Sequence, residues 1–109
     1  MEYLFALKTA ELPTGTMKMV KLADQEILIS NVEDQFYAIC NICTHLKGSL
    51  VNGKLEGKYV TCPRHGAKFD VTTGKCVGPA TILFIKTTPD DEKIFPVKIE
   101  GDNILIGIE

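Results

Sequence analysis

Two short stretches determine how this 109-residue sequence is interpreted: Cys43-Thr44-His45 and, after sixteen further residues, Cys62-Pro63-Arg64-His65. Together they contain both histidines of the chain and two of its four cysteines. Glycines follow closely, at Gly48 and Gly66, and allow the backbone to turn tightly around a bound group. Thiolate and imidazole ligands together favour zinc or an iron–sulfur centre over magnesium or calcium. The two stretches therefore predict a metal centre.

The spacing of these residues is compatible with two kinds of centre. Cys40 and Cys43 with Cys62 and His65 would form a Cys₃His zinc site, which leaves His45 without a role. In a Rieske [2Fe–2S] centre two histidines bind one iron and two cysteines the other, so each stretch supplies one ligand of each type. Ordinary core cysteines with surface histidines are disfavoured, because the two pairs use every histidine of the chain.

Beyond the ligands, the sequence resembles the Rieske proteins, and in particular their stand-alone ferredoxins. Residues 43–50 and 62–70 resemble the two cluster-binding loops of that family. Residues 73–75 and 78–80 resemble the segment leading into its proline loop, and residues 95–102 its C-terminal strand and turn. The resemblance implies one Rieske-type [2Fe–2S] cluster per chain, with ligands in two pairs: Cys43 and Cys62 on the buried iron, His45 and His65 on the outer one.

The function that this resemblance implies is a soluble one-electron carrier. Such ferredoxins pass electrons from a reductase to the terminal oxygenase of multicomponent systems such as the aromatic-ring dioxygenases, so a monomeric carrier rather than an enzyme is expected. The sequence contains no Gly-rich phosphate loop, no nucleophile with a base and no paired catalytic carboxylates. Two alternatives remain open: a small Rieske-like subunit of a larger oxidoreductase such as nitrite reductase, and a zinc-stabilised interaction module.

Four positions depart from the Rieske subunits of quinol-oxidising complexes. Those proteins join their loops by a disulfide, whereas this chain has Gly48 and Arg64 at the two positions. They also place a serine and a tyrosine near the cluster sulfurs, where this chain has Ala67 and Phe69. Fewer hydrogen bonds to sulfur lower the potential, so we expect a value of roughly −150 to 0 mV, at the low end of the Rieske range.

Composition and charge limit the location and the partners. The N-terminal residues 1–8 lack the basic start and apolar run of a secretory signal, and no segment is long enough to span a membrane. We therefore expect a cytoplasmic protein in which Cys40 and Cys76 remain buried thiols. The net charge of −2 disfavours nucleic-acid binding. Residues 43–75 are nevertheless basic, with six basic and two acidic residues, against six and twelve elsewhere.

The patterning predicts an all-β protein: a Rieske (ISP-like) fold of antiparallel sheets. The length suits one domain, residues 1–109, in which the glycine-rich residues 41–80 form a loop-rich cluster-binding subdomain. Asn52-Gly53 predicts a two-residue hairpin turn, and Ala23-Asp24-Gln25 predicts another between two strands. Residues 81–94 are longer than the corresponding segment of typical Rieske carriers, so the resemblance implies an additional hairpin there. The expected strands are Tyr3–Lys8, Met17–Leu22, Glu26–Ser30, Gln35–Cys40, Lys58–Cys62, Lys68–Val71, Thr81–Thr87, Ile94–Glu100 and Asn103–Ile108.

Overall fold

The computed structural model describes residues 1–44, 48–64, 66–82, 85–87 and 89–108, and these form strands, turns and two short 3₁₀ helices. This confirms the all-β prediction. The strands are β1 (Glu2–Lys8), β2 (Met17–Leu22), β3 (Gln25–Val32), β4 (Gln35–Cys40), β5 (Lys54–Glu56), β6 (Tyr59–Thr61), β7 (Lys68–Asp70), β8 (Cys76–Gly78), β9 (Ala80–Ile82), β10 (Ile85–Thr87), β11 (Ile94–Phe95), β12 (Val97–Glu100) and β13 (Asn103–Ile108).

The described strands pair into antiparallel sheets, three of which organise the molecule. An outer sheet has the order β1-β13-β12, a central sheet the order β11-β4-β3-β2, and a loop-bearing sheet the order β5-β6-β7-β8. β9 and β10 pair with each other as an additional hairpin, so the single strand expected at Thr81–Thr87 is wrong. The strand expected at Ile94–Glu100 is likewise divided at Pro96 into β11 and β12, which belong to different sheets. Among the described residues no helix is long and apolar enough to cross a membrane.

The central sheet is apolar on both faces, which explains the unbroken hydrophobic run in β3. Successive side chains of a strand point to opposite faces. Ile27 and Ile29 pack towards the outer sheet, in a core shared with Ile104 and Ile106. Leu28 lies in a second core, which contains both cysteines of the two stretches. The metal-binding region therefore packs directly on the central sheet.

Tight turns connect the strands of the central sheet. Ala23 and Asp24 have φ values of 49° and 63°, and Glu33 and Asp34 have 52° and 66°. Two consecutive residues with positive φ form the turn type that matches strand twist, so both connections are two-residue hairpins. The first was predicted at residues 23–25, and its position is confirmed.

The hairpin predicted at Asn52-Gly53 is wrong. Residues Leu50–Asn52 form a 3₁₀ turn, closed by the Gly53 N–H donating to the Leu50 carbonyl at 2.9 Å. The Val51 N–H donates to the buried side chain of Asn41, so this N–H is not available for strand pairing. The hairpin turn lies further along the chain instead, between β5 and β6 at Gly57.

Candidate metal centre

The two cysteines of the predicted centre begin loops with the same closing hydrogen bond. In the first loop, residues 43–48, the Cys43 N–H donates to the Gly48 carbonyl at 2.7 Å. In the second loop, residues 62–67, the Cys62 N–H donates to the Ala67 carbonyl, also at 2.7 Å. Each bond spans five residues, so the two cysteines occupy equivalent positions at the base of matching loops.

Gly48 brings the two loops together. Its carbonyl accepts the Cys43 N–H, and a Cβ atom added to it would lie 3.1 Å from the Cys62 Sγ. Cys43 and Cys62 are 0% and 2% exposed and share one core. The structure therefore places the two thiols at one buried site. His45 and His65, the other two predicted ligands, lie outside the described residues.

Cys40 and Cys76, which were expected to be buried, are only half-buried and are placed differently from this pair. Cys40 packs against the core between the central and outer sheets, whereas Cys43 and Cys62 lie in the other core. Cys76 lies beside the second core, and its Sγ donates to the Gly78 carbonyl at 3.3 Å. Burial raises the pKa of both thiols. The zinc arrangement that uses Cys40 is disfavoured because Cys40 packs against a different core from Cys43 and Cys62.

Ala67 and Phe69 occupy the two positions at which the Rieske subunits of quinol-oxidising complexes have hydroxyl side chains. Ala67 and Phe69 are 1% and 0% exposed and lie in the core of the two cysteines. A Cβ atom on Gly48 would also lie 3.1 Å from the Arg64 Cγ. The two positions that carry the disulfide in quinol-oxidising proteins are thus adjacent here, but without the bridge.

Asn41 supports the first loop, a role that the sequence analysis did not predict. Its side chain is fully buried, accepts the Val51 N–H at 2.9 Å and donates to Ser49 and Glu26 at 2.9 and 3.1 Å. The main-chain carbonyl of Asn41 also accepts the Leu50 N–H. These bonds hold together the two ends of the chain that flank the loop. A polar residue between the apolar Cys40 and Ile42 was the available signal.

Glu92 is a second residue that sequence reasoning missed. It is 5% exposed, and its Oε2 accepts the Thr44 N–H at 3.0 Å inside the first loop. Burial raises the pKa of this carboxyl to about 7, although the hydrogen bond from Thr44 acts in the opposite direction. Local sequence offers no signal, because Asp90-Asp91-Glu92 reads as an exposed acidic turn.

Asp70 lies at the end of β7 farther from the second loop, where it stabilises the β7–β8 turn. Burial disfavours the charged carboxylate, but two hydrogen bonds from Thr72 and the Lys58 ammonium, 3.3 Å away, outweigh it and lower the pKa of Asp70. The carboxylate therefore remains ionised at neutral pH. Its partners lie within twelve residues along the chain, unlike the distant partner of Thr44.

Comparison with known proteins agrees with the family resemblance seen in the sequence. The family model described as the Rieske [2Fe–2S] domain matches residues 2–89. The chain belongs to the Rieske [2Fe–2S] domain family. This Rieske chain is 34% identical over 107 residues to the ferredoxin component of the naphthalene 1,2-dioxygenase system of Pseudomonas aeruginosa, covering 98% of this chain and 96% of that protein.

Two further matches extend the similarity of this Rieske chain. The ferredoxin component of biphenyl 2,3-dioxygenase from Rhodococcus jostii (strain RHA1) is 34% identical over 101 residues, covering 93% of this chain and 88% of that protein. A chain in a solved complex of reduced oxygenase and oxidized ferredoxin in carbazole 1,9a-dioxygenase is 28% identical, with a TM-score of 0.83. That match covers 96% of this chain and 92% of the other.

Family membership establishes a Rieske-type [2Fe–2S] cluster as the cofactor. The described residues fit it: two buried cysteines lie in one core, and the loop that each one begins is closed by the same hydrogen bond. Thiolates are the usual ligands of iron–sulfur clusters. Both the fold class and the cofactor predicted from the sequence are confirmed.

Proposed function

We propose that this chain is an electron carrier that passes one electron at a time from a reductase to a terminal oxygenase. The observation that supports it most directly is the position of Gly48, which adjoins both Cys43 and Cys62. The relatives are named ferredoxin components of dioxygenase systems, and the match covers nearly their whole length. Both points favour a separate carrier over a subunit of a larger oxidoreductase. The carrier itself has no catalytic role.

We infer that Cys43 and Cys62 hold one iron and that His45 and His65 hold the other. The bound cluster supplies one-electron redox chemistry. The two cysteines exclude water from their side of the site, since they are almost fully buried. Thr44 and Arg64, which precede the two histidines, are exposed. These exposed neighbours support electron exchange with partners on the histidine side.

We also infer a low reduction potential, in the range of roughly −150 to 0 mV. Ala67 and Phe69 support it, because neither buried side chain can donate a hydrogen bond to a cluster sulfur. Such a potential suits an acceptor of electrons derived from NAD(P)H. A redox titration above about +200 mV on the same scale would contradict it.

The domain and its location belong to the same proposal. We take residues 1–109 as one domain in which residues 41–80 form the cluster-binding subdomain, supported by the core around the two cysteines. We expect a monomeric carrier in the cytoplasm, where the thiols of Cys40 and Cys76 would stay reduced. Cell fractionation and sedimentation of the purified protein test these two points.

The decisive experiment measures metal content in anaerobically purified protein. We expect two iron atoms and two acid-labile sulfides per chain, with no stoichiometric zinc. Alanine replacement of any of the four ligands should abolish the Rieske electron paramagnetic resonance (EPR) signal of the reduced protein. The matched controls Cys40→Ala and Cys76→Ala should retain it. A colourless zinc protein, or loss of metal in Cys40→Ala alone, would refute the proposal.

Electron delivery is the second test. Purified protein should accept electrons from a ferredoxin reductase with NAD(P)H and reduce the oxidised terminal oxygenase of a dioxygenase system, followed by visible absorption. A loaded protein that is neither reduced by such a reductase nor oxidised by such an oxygenase would leave the cofactor assignment intact but contradict the carrier role.

A further inference from the structure

Residues 90–93, termed the brace, connect the first loop to three other parts of the molecule. This segment lies outside the strands, between β10 and β11. It nevertheless takes part in hydrogen bonds with the first loop, with the β7–β8 turn, with β8 and with the end of β4. These bonds are Thr44 Oγ1 to Asp90 O at 2.6 Å, Thr44 N to Glu92 Oε2 at 3.0 Å, Glu92 N to Gly74 O at 2.7 Å, Cys76 N to Asp91 Oδ1 at 2.8 Å and Cys40 N to Lys93 O at 2.8 Å.

Close packing allows the brace to reach the β7–β8 turn. Gly74 has φ +78°, and a Cβ atom there would collide with the Glu92 carbonyl and lie 2.8 Å from the Ile94 Cγ2. A side chain at this position would separate the turn from the brace. Gly74 therefore permits the Glu92 main chain to anchor on one side while its side chain reaches the loop on the other.

Thr44 depends on the brace for its position. It is exposed, so little core packing holds it. Its N–H nevertheless donates to Glu92, 48 positions further along the chain, and its hydroxyl donates to Asp90, 46 positions further along. Thr44 lies between Cys43 and His45, the two proposed ligands of the first loop. The path of the chain between these ligands is thus determined by contacts with the brace.

A carboxyl that is 5% exposed is unusual, since burial of an ionisable group is unfavourable unless it is hydrogen-bonded. An apolar residue would bury more favourably at this position, but it would offer Thr44 no acceptor. The buried acceptor at this point therefore has a structural role in its contact with the loop.

We propose that Glu92 is a positioning residue for the cluster, which fixes Thr44 between the two ligands of the first loop and thereby sets the geometry and retention of the bound cluster. This inference rests on the proposed ligand set. It assigns a role to the segment after the additional hairpin, for which the sequence offered none. The role depends on an acceptor atom at position 92 rather than on its charge.

The test compares three variants of the loaded protein. Glu92→Ala removes the acceptor, whereas Glu92→Gln keeps an amide oxygen that can accept the Thr44 N–H. Asp90→Asn removes one negative charge from an exposed side chain, while the main-chain carbonyl of residue 90 still accepts the Thr44 hydroxyl. The readouts are the EPR g-values of the reduced protein, the visible circular dichroism (CD) of the oxidised protein, and the rate of iron release to a chelator.

We expect Glu92→Ala to shift the g-values and visible CD bands and to release iron about tenfold faster, as the loss of a buried hydrogen bond implies. Glu92→Gln should keep the wild-type spectra and release iron within about twofold of the wild-type rate, and Asp90→Asn should match wild type. Wild-type behaviour of Glu92→Ala would overturn the inference. Equal shifts in Glu92→Ala and Glu92→Gln would also overturn it, because they would indicate an effect of charge.

Glu92→Asp keeps the inference testable if Glu92→Ala does not fold. The shorter side chain retains the charge but withdraws the acceptor from Thr44, so its spectra should shift while Glu92→Gln remains normal; wild-type spectra of Glu92→Asp would contradict the inference. The two proposals fail separately. Wild-type protein without iron and sulfide refutes the proposed function, whereas a loaded wild type with an indistinguishable loaded Glu92→Ala refutes only the role of Glu92.

Discussion

The first and second loops carry matching cysteines and the same closing hydrogen bond, but they are supported differently. The second loop joins β6 and β7, which pair directly, so the strands of a local hairpin hold it. The first loop leaves the central sheet after Cys40 and is held by the side chains of Asn41 and Glu92. One loop is thus stabilised by nearby residues, and the other by contacts between distant parts of the chain.

The largest expected effect on this contrast comes from Asn41→Ala. The substitution removes three side-chain hydrogen bonds at a fully buried position, so we expect a loss of about 3 kcal/mol in the free energy of unfolding. Because two of these bonds, with Ser49 and Val51, join the two ends of the first loop, iron retention should fall as well. Chemical unfolding and iron analysis of the purified holoprotein measure the two effects.

Asn31→Ala is the matched control for this prediction. Asn31 is also buried and makes two side-chain hydrogen bonds, with the Leu12 carbonyl and the Asp34 N–H, away from the metal site. It should lose comparable stability while keeping its iron. Equal iron loss in the two variants would show that the first loop has no special dependence on Asn41.

Gly48→Ala tests the contact between the two loops. The added methyl would lie 3.1 Å from both the Cys62 Sγ and the Arg64 Cγ, closer than most Cβ contacts. We expect a destabilisation of about 2 kcal/mol from overpacking, together with reduced cluster occupancy. Gly57→Ala is the control, since its φ of +61° makes alanine unfavourable but no atom lies near the added methyl. Full cluster occupancy in Gly48→Ala would contradict the proposed convergence.

Asp70→Asn tests, through pH, the local contacts at the far end of the hairpin that holds the second loop. The lowered pKa of Asp70 means that folding favours its ionised form, so this stabilisation is present above the unfolded-state value of about 4 and is lost as the pH falls through the native value. Because Lys58 is half-exposed, we expect wild type to exceed the variant by only about 1 kcal/mol at pH 7.

The pH profile of that difference provides the check. The difference in unfolding free energy should shrink as the pH is lowered below about 4. A difference that stays constant from pH 7 to pH 3 would exclude ionisation of Asp70 as its cause. Lys58→Gln should show a smaller effect than Asp70→Asn, because the two hydrogen bonds from Thr72 remain.

The smallest expected effects come from adding hydroxyl groups to the second loop and to β7. Ala67→Ser and Phe69→Tyr would each place a donor near the proposed cluster, stabilising its reduced form and raising the reduction potential. We expect shifts of up to about 59 mV, equivalent to tenfold in a one-electron equilibrium. Phe69→Leu adds no donor and is the control in the redox titration. An unchanged potential in both hydroxyl variants would remove the argument for the low value.

Local signals predicted much of the fold. The strand at Gln35–Cys40 and the turn at residues 23–25 follow from β-branched and aromatic residues and from short-range turn chemistry, and both were located correctly. The same rules placed a hairpin at Asn52-Gly53, where the structure has a 3₁₀ turn. There the side chain of Asn41 competes for the backbone, and a window of neighbouring residues does not reveal that contact.

The charge pattern shows a similar limit. In the sequence, residues 43–75 read as a basic region on an acidic body. In the structure, Asp90 and Glu92 fold back onto Thr44, so the first loop has an acidic border while exposed Arg64 lies in the second loop. Charges distant in sequence became neighbours, and the region is therefore not uniformly basic.

The sequence by itself predicted a metal centre with thiolate and imidazole ligands and an all-β architecture, because ligand chemistry depends on residue type and strands leave a short-range pattern. Its resemblance to the Rieske proteins implied which cofactor binds there. Tertiary structure alone decided that Gly48 adjoins both cysteines, that Cys40 packs in a different core, and that Asn41 and Glu92 support the first loop. The physical reason is that these features are contacts between segments up to 48 residues apart, which are specified by how the sheets pack rather than by any local run of residues.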